Sequence, residues 1–235
     1  MGKKILNRTR NTNKLKGQKM ERINPVRQYW ADRISAQHTV IQDQLAALRD
    51  KGHLTDELLV IKRKRPILQK GDVFVVQPKK DIFFYGLILN VYSVPILKNG
   101  VVTCIFKTVT HELNMNHFKL DFNNLLLPPQ ILGGRAWISG YFYNVGKIDL
   151  SNIHIPSYGF YHVFNNTLLT EYGEHLECLP EMIGLMSVGD IGSIAFKIAQ
   201  ELIIMPELLN DDNPPSPSDF CVKFSEYYRR YNDIL

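Results

Sequence analysis

Gly71-Asp72-Val73-Phe74-Val75-Val76-Gln77-Pro78-Lys79-Lys80-Asp81-Ile82-Phe83-Phe84-Tyr85-Gly86-Leu87-Ile88-Leu89-Asn90-Val91-Tyr92 is the stretch that decides the fold class. The Gly-Asp start gives a tight entry into a β-branched and aromatic run at 73–76. Pro78 and the charged Lys79-Lys80-Asp81 supply a turn, and 82–92 is a longer run of the same kind. Two such runs separated by turn residues read as a β-hairpin. Their near-continuous apolar character, rather than strict alternation, predicts strands buried on both faces or a strongly curved sheet. Gly86, inside the second run, suits a bend or a close backbone approach.

Downstream of the hairpin, Gly100 marks a turn and 101–109 reads as a third strand. The stretch 110–124 is polar and loop-like. Leu125-Leu126-Leu127-Pro128-Pro129-Gln130-Ile131 is apolar but carries two prolines, which suits an edge segment or a crossover. Gly133-Gly134 turns the chain into a fourth strand over 135–145, with Gly140 permitting a bulge. Further strands are expected at 159–164 and 167–172, with Asn165-Asn166 as the turn between them.

Helices flank this β-rich region. Asn24 is a suitable N-cap and Pro25 a suitable first helical residue. Tyr29, Trp30, Ile34, Val40, Ile41, Leu45 and Leu48 then recur at steps of three and four, predicting one helix from 26 to 50 that stops at Gly52. A second short helix is expected from Thr55 into Lys62-Arg63-Lys64-Arg65, ending before Pro66. Toward the C-terminus, helical spacing of Ile191, Ile194, Ala195, Ile198, Leu202 and Ile203 predicts a helix over 188–205. A proline-rich linker at 211–217 leads to a last, aromatic-striped helix through about 233.

The expected whole is an α+β protein with a twisted, barrel-like antiparallel sheet, SH3-like or similar, and N- and C-terminal helices packed on it. Its expected divisions are a disordered basic arm at 1–24, a helical segment at 25–65, the β-rich core at 66–172 and a C-terminal helical segment at 173–235.

The net charge of +5 conceals an asymmetry. Residues 1–65 hold sixteen Lys/Arg against six acids, whereas the rest of the chain holds twelve against seventeen. A basic head on an acidic body bears directly on partners. Lys3, Lys4, Arg8, Arg10, Lys14 and Lys16 of the arm, with Lys62, Arg63, Lys64 and Arg65, are the candidate phosphate contacts if the partner is a nucleic acid.

Catalytic signatures are missing. Cys104, Cys178 and Cys221 are scattered, odd in number and without a Cys-x-x-Cys pair, which favours neither a disulfide framework nor a zinc site. The spacing of His111, Glu112 and His117 matches neither a His-Glu-x-x-His helix nor a finger motif. Gly192-Ser193 lacks the nucleophile-elbow pattern, and no phosphate-binding glycine loop or cofactor motif occurs. The basic N-terminus has no apolar region of the kind secretory signals carry, and no run is long enough to cross a bilayer, so a cytoplasmic location is expected. A non-enzymatic protein without metal or cofactor is the expectation, and a deep cleft with convergent ionisable groups would speak against it.

The order of features from about 66 to 172 resembles the bacterial immunity protein 26 family of polymorphic toxin systems. The resemblance is carried by Gly71-Asp72-Val73-Phe74, Phe84-Tyr85-Gly86-Leu87-Ile88, the apolar run 102–106, Leu125-Leu126-Leu127-Pro128-Pro129, and Trp137-Ile138-Ser139-Gly140-Tyr141-Phe142. It implies a small, mostly β, non-enzymatic protein that binds a cognate toxin domain and neutralises it. An acidic body would suit a basic partner such as a nucleic-acid-cleaving toxin. Asp72, Tyr85, Trp137, Tyr141 and Phe142 are the candidate partner contacts, since aromatic residues dominate interface energy. The Gly-Asp-Val opening is also similar to endoribonuclease toxins built on an SH3-like barrel. Those carry an arginine-rich loop, where this chain has Lys79-Lys80-Asp81 and no arginine in the following strand. The alternatives are therefore a nucleic-acid-binding accessory protein and, behind it, a ribonuclease.

Overall fold

The computed structural model describes residues 24–52, 58–94 and 97–209, together with 226 and 229. The basic arm up to residue 23, the capping residues at 53–57, the linker at 211–217 and, apart from residues 226 and 229, the final aromatic helix lie outside the described residues.

The hairpin forms as expected. β1 (Asp72–Lys79) and β2 (Ile82–Val94) are antiparallel, with Asp81 at φ 59° in the turn. β3 (Leu97–Thr110) and β4 (Leu125–Gly133) extend the sheet, and β5 (Phe142–Lys147) adds to the other side of β1. Both faces are buried, and strand periodicity sorts the residues. Phe74, Val76, Phe84, Ile88, Val101 and Ile105 face one core, while Val73, Val75, Tyr85, Leu87, Val102 and Cys104 face another. The first core is closed by α4 (Ile191–Ile204) and the second by the 110–124 loop, through Met115, Phe118 and Phe122, and by a small second sheet. The continuous apolar reading of β1 and β2 reflects this double burial.

Leu125-Leu126-Leu127-Pro128-Pro129 is part of β4 and pairs antiparallel with β3 on one side only, as expected of an edge segment; the parallel partner β9 (Val188–Gly189) meets β4 further on, at Ile131 and Leu132. The prolines are tolerated because the register slips there. Thr103 faces Gln130 and Ile105 faces Leu127, so β4 carries one extra residue, a bulge that needs no ladder donor from Pro128 or Pro129. Gln130 Nε2 satisfies both freed carbonyls, at 2.9 Å from Pro128 O and 3.1 Å from Pro129 O.

The main sheet has the order β5-β1-β2-β3-β4-β9 and is open, which corrects the barrel-like expectation. Two local features prevent closure. β9 is only two residues long before Asp190 caps α4, its side chain accepting from Ser193 N at 2.7 Å. In addition, the expected strand 135–145 is not one strand. Arg135–Ile138 forms a single helical turn, α3, and only from Phe142 does the chain enter β5. Gly140, at φ 87°, ends α3 with paired bonds from Gly140 N to Trp137 O and Tyr141 N to Ala136 O, a Schellman cap rather than a bulge.

The small sheet, β7-β6-β8, contains β6 (Tyr158–His162), β7 (Thr167–Leu169) and β8 (Met182–Leu185). β7 is shorter than the expected 167–172, because Thr170 N bonds Glu174 O in a turn completed by Gly173 at φ 87°. β8 and β9 are strands within the stretch that reads as helical, and α4 begins at Ile191 rather than near 188.

Two further corrections concern the N-terminal side. The expected helix 26–50 is two, α1 (Pro25–Ser35) and α2 (Thr39–Lys51). Gln42 Nε2 donates to Gln37 O at 2.7 Å and lies 3.4 Å from Ser35 O, so side-chain amides take up carbonyls that the break exposes. The break lets α1 bury Val26 and Tyr29 against the small sheet while α2 packs on α4. From 58 onward the chain is extended rather than helical, because its backbone is captured by the sheet: Leu59 N donates to Gln77 O at 2.7 Å.

Gly86 has a specific steric reason. It faces Phe74 in the register, and a Cβ there would lie 2.2 Å from the Phe74 ring. That ring cannot yield, being stacked on Phe142 (4.7 Å, 10°) and edge-on to Trp137 (5.2 Å, 69°). Gly86→Ala is therefore expected to lower unfolding free energy by about 1–3 kcal/mol. Gly133→Ala, where a Cβ meets nothing within 4 Å, should stay within about 0.5 kcal/mol. Urea denaturation of the two variants checks the contrast.

Candidate protein-interaction site

Most of the residues singled out in the sequence converge on one corner of the molecule, where β4 ends, α3 turns and β5 begins. Phe142 and Trp137 are 1 % exposed and pack on each other at 5.0 Å and 76°. Trp137 Nε1 donates to Asn144 Oδ1 at 2.6 Å, and Asn144 Nδ2 donates to Asp72 Oδ2 at 3.1 Å. The same Asp72 oxygen accepts Gln69 N at 2.9 Å. This chain of bonds ties α3 to β5 and to the entry of β1.

Asp72, Trp137 and Phe142 thus lie inside the protein, holding the corner in shape. Tyr85 is fully buried on the opposite face of the sheet, its hydroxyl donating to Asn114 O at 2.8 Å. These four expected contact residues are therefore buried side chains of the chain itself. Tyr141 is half-buried and reaches the surface.

The basic cluster is drawn to this corner by backbone contacts. Gly140 O accepts Ile61 N at 2.8 Å and Lys62 N at 3.3 Å, and a Cβ on Gly140 would sit 2.9 Å from Arg63 N. Lys62, Arg63, Lys64 and Arg65 are all exposed on this extended segment. Lys64 Nζ lies 4.8 Å from the centre of the Tyr143 ring and 3.2 Å from its hydroxyl. Exposed Lys147, on β5, donates to Gln69. Lys3, Lys4, Arg8, Arg10, Lys14 and Lys16 lie outside the described residues.

Beside this strip lies a mostly apolar groove of about 500 Å³ in the gap that the open sheet leaves. Tyr141, Phe142 and Arg135 bound it on one side, Val188 and Ile191 on the other. Val188 is 55 % exposed and Arg135 is exposed. The corner therefore offers a mostly apolar slot whose lining carries one charge of each sign, the exposed Arg135 and the exposed Asp190, while the cationic side chains of 62–65 lie outside that lining.

A second, separate surface is acidic. Residues 171–181 carry Glu171, Glu174, Glu177 and Glu181 with no Lys or Arg. Glu171 Oε1 accepts Tyr158 OH at 2.9 Å and Asn90 Nδ2 at 2.8 Å, and Tyr172 packs edge-on to Tyr92 at 5.4 Å. Burial first, and then the charge of Glu171, push the Tyr92 phenol up to about 12 and raise that of Tyr158 further. The acidity of the body after residue 65 is thus not uniform, since four of its carboxylates fall within 171–181.

Among the described residues no cluster of three or more His, Cys, Asp and Glu could hold a metal. His111 Nδ1 instead meets Asp81 O at 2.5 Å. Cys104 is buried and Cys178 exposed, and neither is in a disulfide among the described residues. Among the described residues no helix is long and apolar enough to cross a membrane.

The fold is that of an α+β protein with an open main sheet. A family model, Immunity protein 26, matches residues 69–165, less than half of the chain. The matched segment begins just before β1 and continues past β6, and over it the chain is similar to that family. No curated protein and no solved structure matches the chain.

Sequence reasoning missed Asn144 and Tyr143, and it placed Trp137 on a strand. The signal for α3 is the pair of glycine sites, Gly133-Gly134 and Gly140, bracketing a stretch too short for a strand that must also turn.

Two outcomes follow. Asn144→Ala strips a donor from Asp72 and the acceptor from Trp137, and it should cost about 1–3 kcal/mol, read by thermal melting and Trp137 fluorescence. Because the phenols of Tyr92 and Tyr158 sit above their ordinary value of 10.0, folding holds their protons when the unfolded chain has lost them. The resulting stabilisation is fully present below pH about 10 and declines above it. Phenolate absorbance of these two groups should rise only together with unfolding, and Tyr158→Phe should weaken the alkaline decline.

Proposed function

We propose that this chain is a non-enzymatic immunity-type protein that neutralises a cognate toxin domain by direct binding, using the α3–β5 corner. The observation that carries the reading is the match of residues 69–165 to Immunity protein 26, a segment that supplies β1–β5 and hence the frame of the corner. Tyr141 is the aromatic contact, with Arg135, Lys62 and Lys64 as the charged rim. Asp72, Trp137 and Phe142 act from behind by fixing α3 against β5. The partner surface that fits has a protruding apolar side chain for the groove and carboxylates for the exposed strip of Lys62, Arg63, Lys64 and Arg65. The acidic lobe at 171–181 is the place for a basic contact, as the charge of the body suggests.

A nucleic-acid-binding role is the second reading. It is favoured by one observation, four exposed cationic side chains in succession on extended backbone with a tyrosine ring beside them. Phosphate contact by such a strip would give binding that falls steeply with salt.

Co-expression with the toxin of an adjacent gene is the deciding experiment. Rescue by the wild-type chain is expected. Tyr141→Ala should weaken toxin binding at least tenfold, a loss of about 1.4 kcal/mol or more. Combined reversal of Lys62, Arg63, Lys64 and Arg65 to Glu should abolish rescue. Failure of the wild-type chain to rescue against every neighbouring toxin sinks the immunity reading. Salt-sensitive binding to RNA or DNA that the reversal removes would establish the other.

A further inference from the structure

The bulge in β4 has a second effect, where β4 meets α4. With its Nε2 committed to the carbonyls of Pro128 and Pro129, Gln130 turns its Oε1 to Lys197 of α4, which donates to it. Lys197 lies on a cavity of about 290 Å³ between α1, α2, α4 and the strands β4 and β8. Trp30, Ile34, Leu127, Leu185 and Phe196 give that cavity an apolar lining.

Its charges do not balance. Glu201 is the carboxylate on its wall, and both of its oxygens are held by Arg33, at 2.7 Å each. Arg33 also sits 5.1 Å from the centre of the Trp30 ring. Lys197 has no carboxylate partner among the described residues, and Arg49 adds a further positive charge to the lining. Neither β4 nor β8 contributes a titratable side chain there. An ammonium has three donors, and Gln130 takes one of them. Burial lowers the Lys197 ammonium to about 8, the sign of a cation set in an apolar site without a counter-charge. No acid–base pair accompanies it, so the chemistry is that of binding, not of reaction.

We propose that this cavity binds a small organic monocarboxylate, with the carboxylate on Lys197 and Gln130 orienting the ammonium, and with an aliphatic or aromatic body against Trp30, Leu127 and Phe196. The cavity is at the small end of the range for ligand sites, which restricts the body to a short chain or a single ring. The uncompensated cation selects against neutral and cationic analogues of the same size. The inference does not depend on the immunity reading, since the site shares no residue with the interaction corner.

The test uses the full chain, with octanoate, benzoate and octanol as probes. Calorimetric titration at pH 7 should give saturable binding of octanoate or benzoate, with octanol at least tenfold weaker. Binding should change the fluorescence of Trp30, a change that Trp30→Phe removes. Lys197→Met should weaken carboxylate binding at least tenfold and leave octanol unaffected, whereas Lys197→Arg retains it. Carboxylate affinity should also fall as pH rises through 8 toward 10, a dependence that Lys197→Met abolishes. Circular dichroism verifies that each variant is folded, and Lys197→Gln replaces Lys197→Met if that one is not. Equal affinity for octanol and octanoate, unchanged binding in a folded Lys197 variant, or no saturable binding at all overturns the proposal.

Discussion

The contact between the Phe74 ring and the bare backbone of Gly86 is the constraint on which the corner of the molecule depends. A strand residue with a side chain would push the ring away, and the ring in turn is the surface on which Trp137 and Phe142 rest. Trp137 anchors the single turn of α3, and Phe142 starts β5. One missing Cβ in the second strand thereby determines where the fifth begins. The Asp72–Asn144–Trp137 chain then converts hydrophobic placement into fixed orientation, because each buried polar group finds its partner only in this arrangement.

A similar economy operates in β4. Two consecutive prolines inside a strand would leave carbonyls unpaired, yet the bulge and the amide of Gln130 absorb them locally. Gly184 contributes from the small sheet, since a Cβ there would lie 2.0 Å from Pro129 O. The two sheets can therefore approach at the bulge, and the irregular strand becomes the place where layers meet. The molecule is open at one gap and tightly joined at another, and both conditions trace to backbone positions rather than to the bulk of the core.

How much of this was legible follows from the kind of signal each element carries. The β1–β2 hairpin and β3 were readable because β-branched and aromatic residues continue through both faces. Asn24, Pro25 and Gly52 were readable as helix boundaries because capping is local chemistry. The division between α1 and α2 was hidden, since apolar spacing runs across it and the break is held by Gln37 and Gln42 side chains. Arg135-Ala136-Trp137-Ile138 read as strand because its residue types favour one, while Gly140, at a left-handed φ, gives it a helical ending. At the site, aromatic identity pointed to the right corner but not to the right depth. Trp137 and Phe142 serve the core there, while Tyr141 between them reaches the surface, and only the turn of α3 distinguishes the three. The arrival of Lys62-Arg63-Lys64-Arg65 beside Tyr143 depends on Gly140 bonding residues far away in sequence, which no local pattern announces.

The separation of a cationic corner from the carboxylates of 171–181 has a consequence for the protein in concentrated solution. The two patches are complementary to each other but lie on different parts of one chain, so a contact between copies would join unlike surfaces. Such contacts have no two-fold axis, and the rotation between successive copies decides whether they close into a ring or stay open. Salt would weaken any such contact, since at physiological ionic strength the Debye length is about 8 Å.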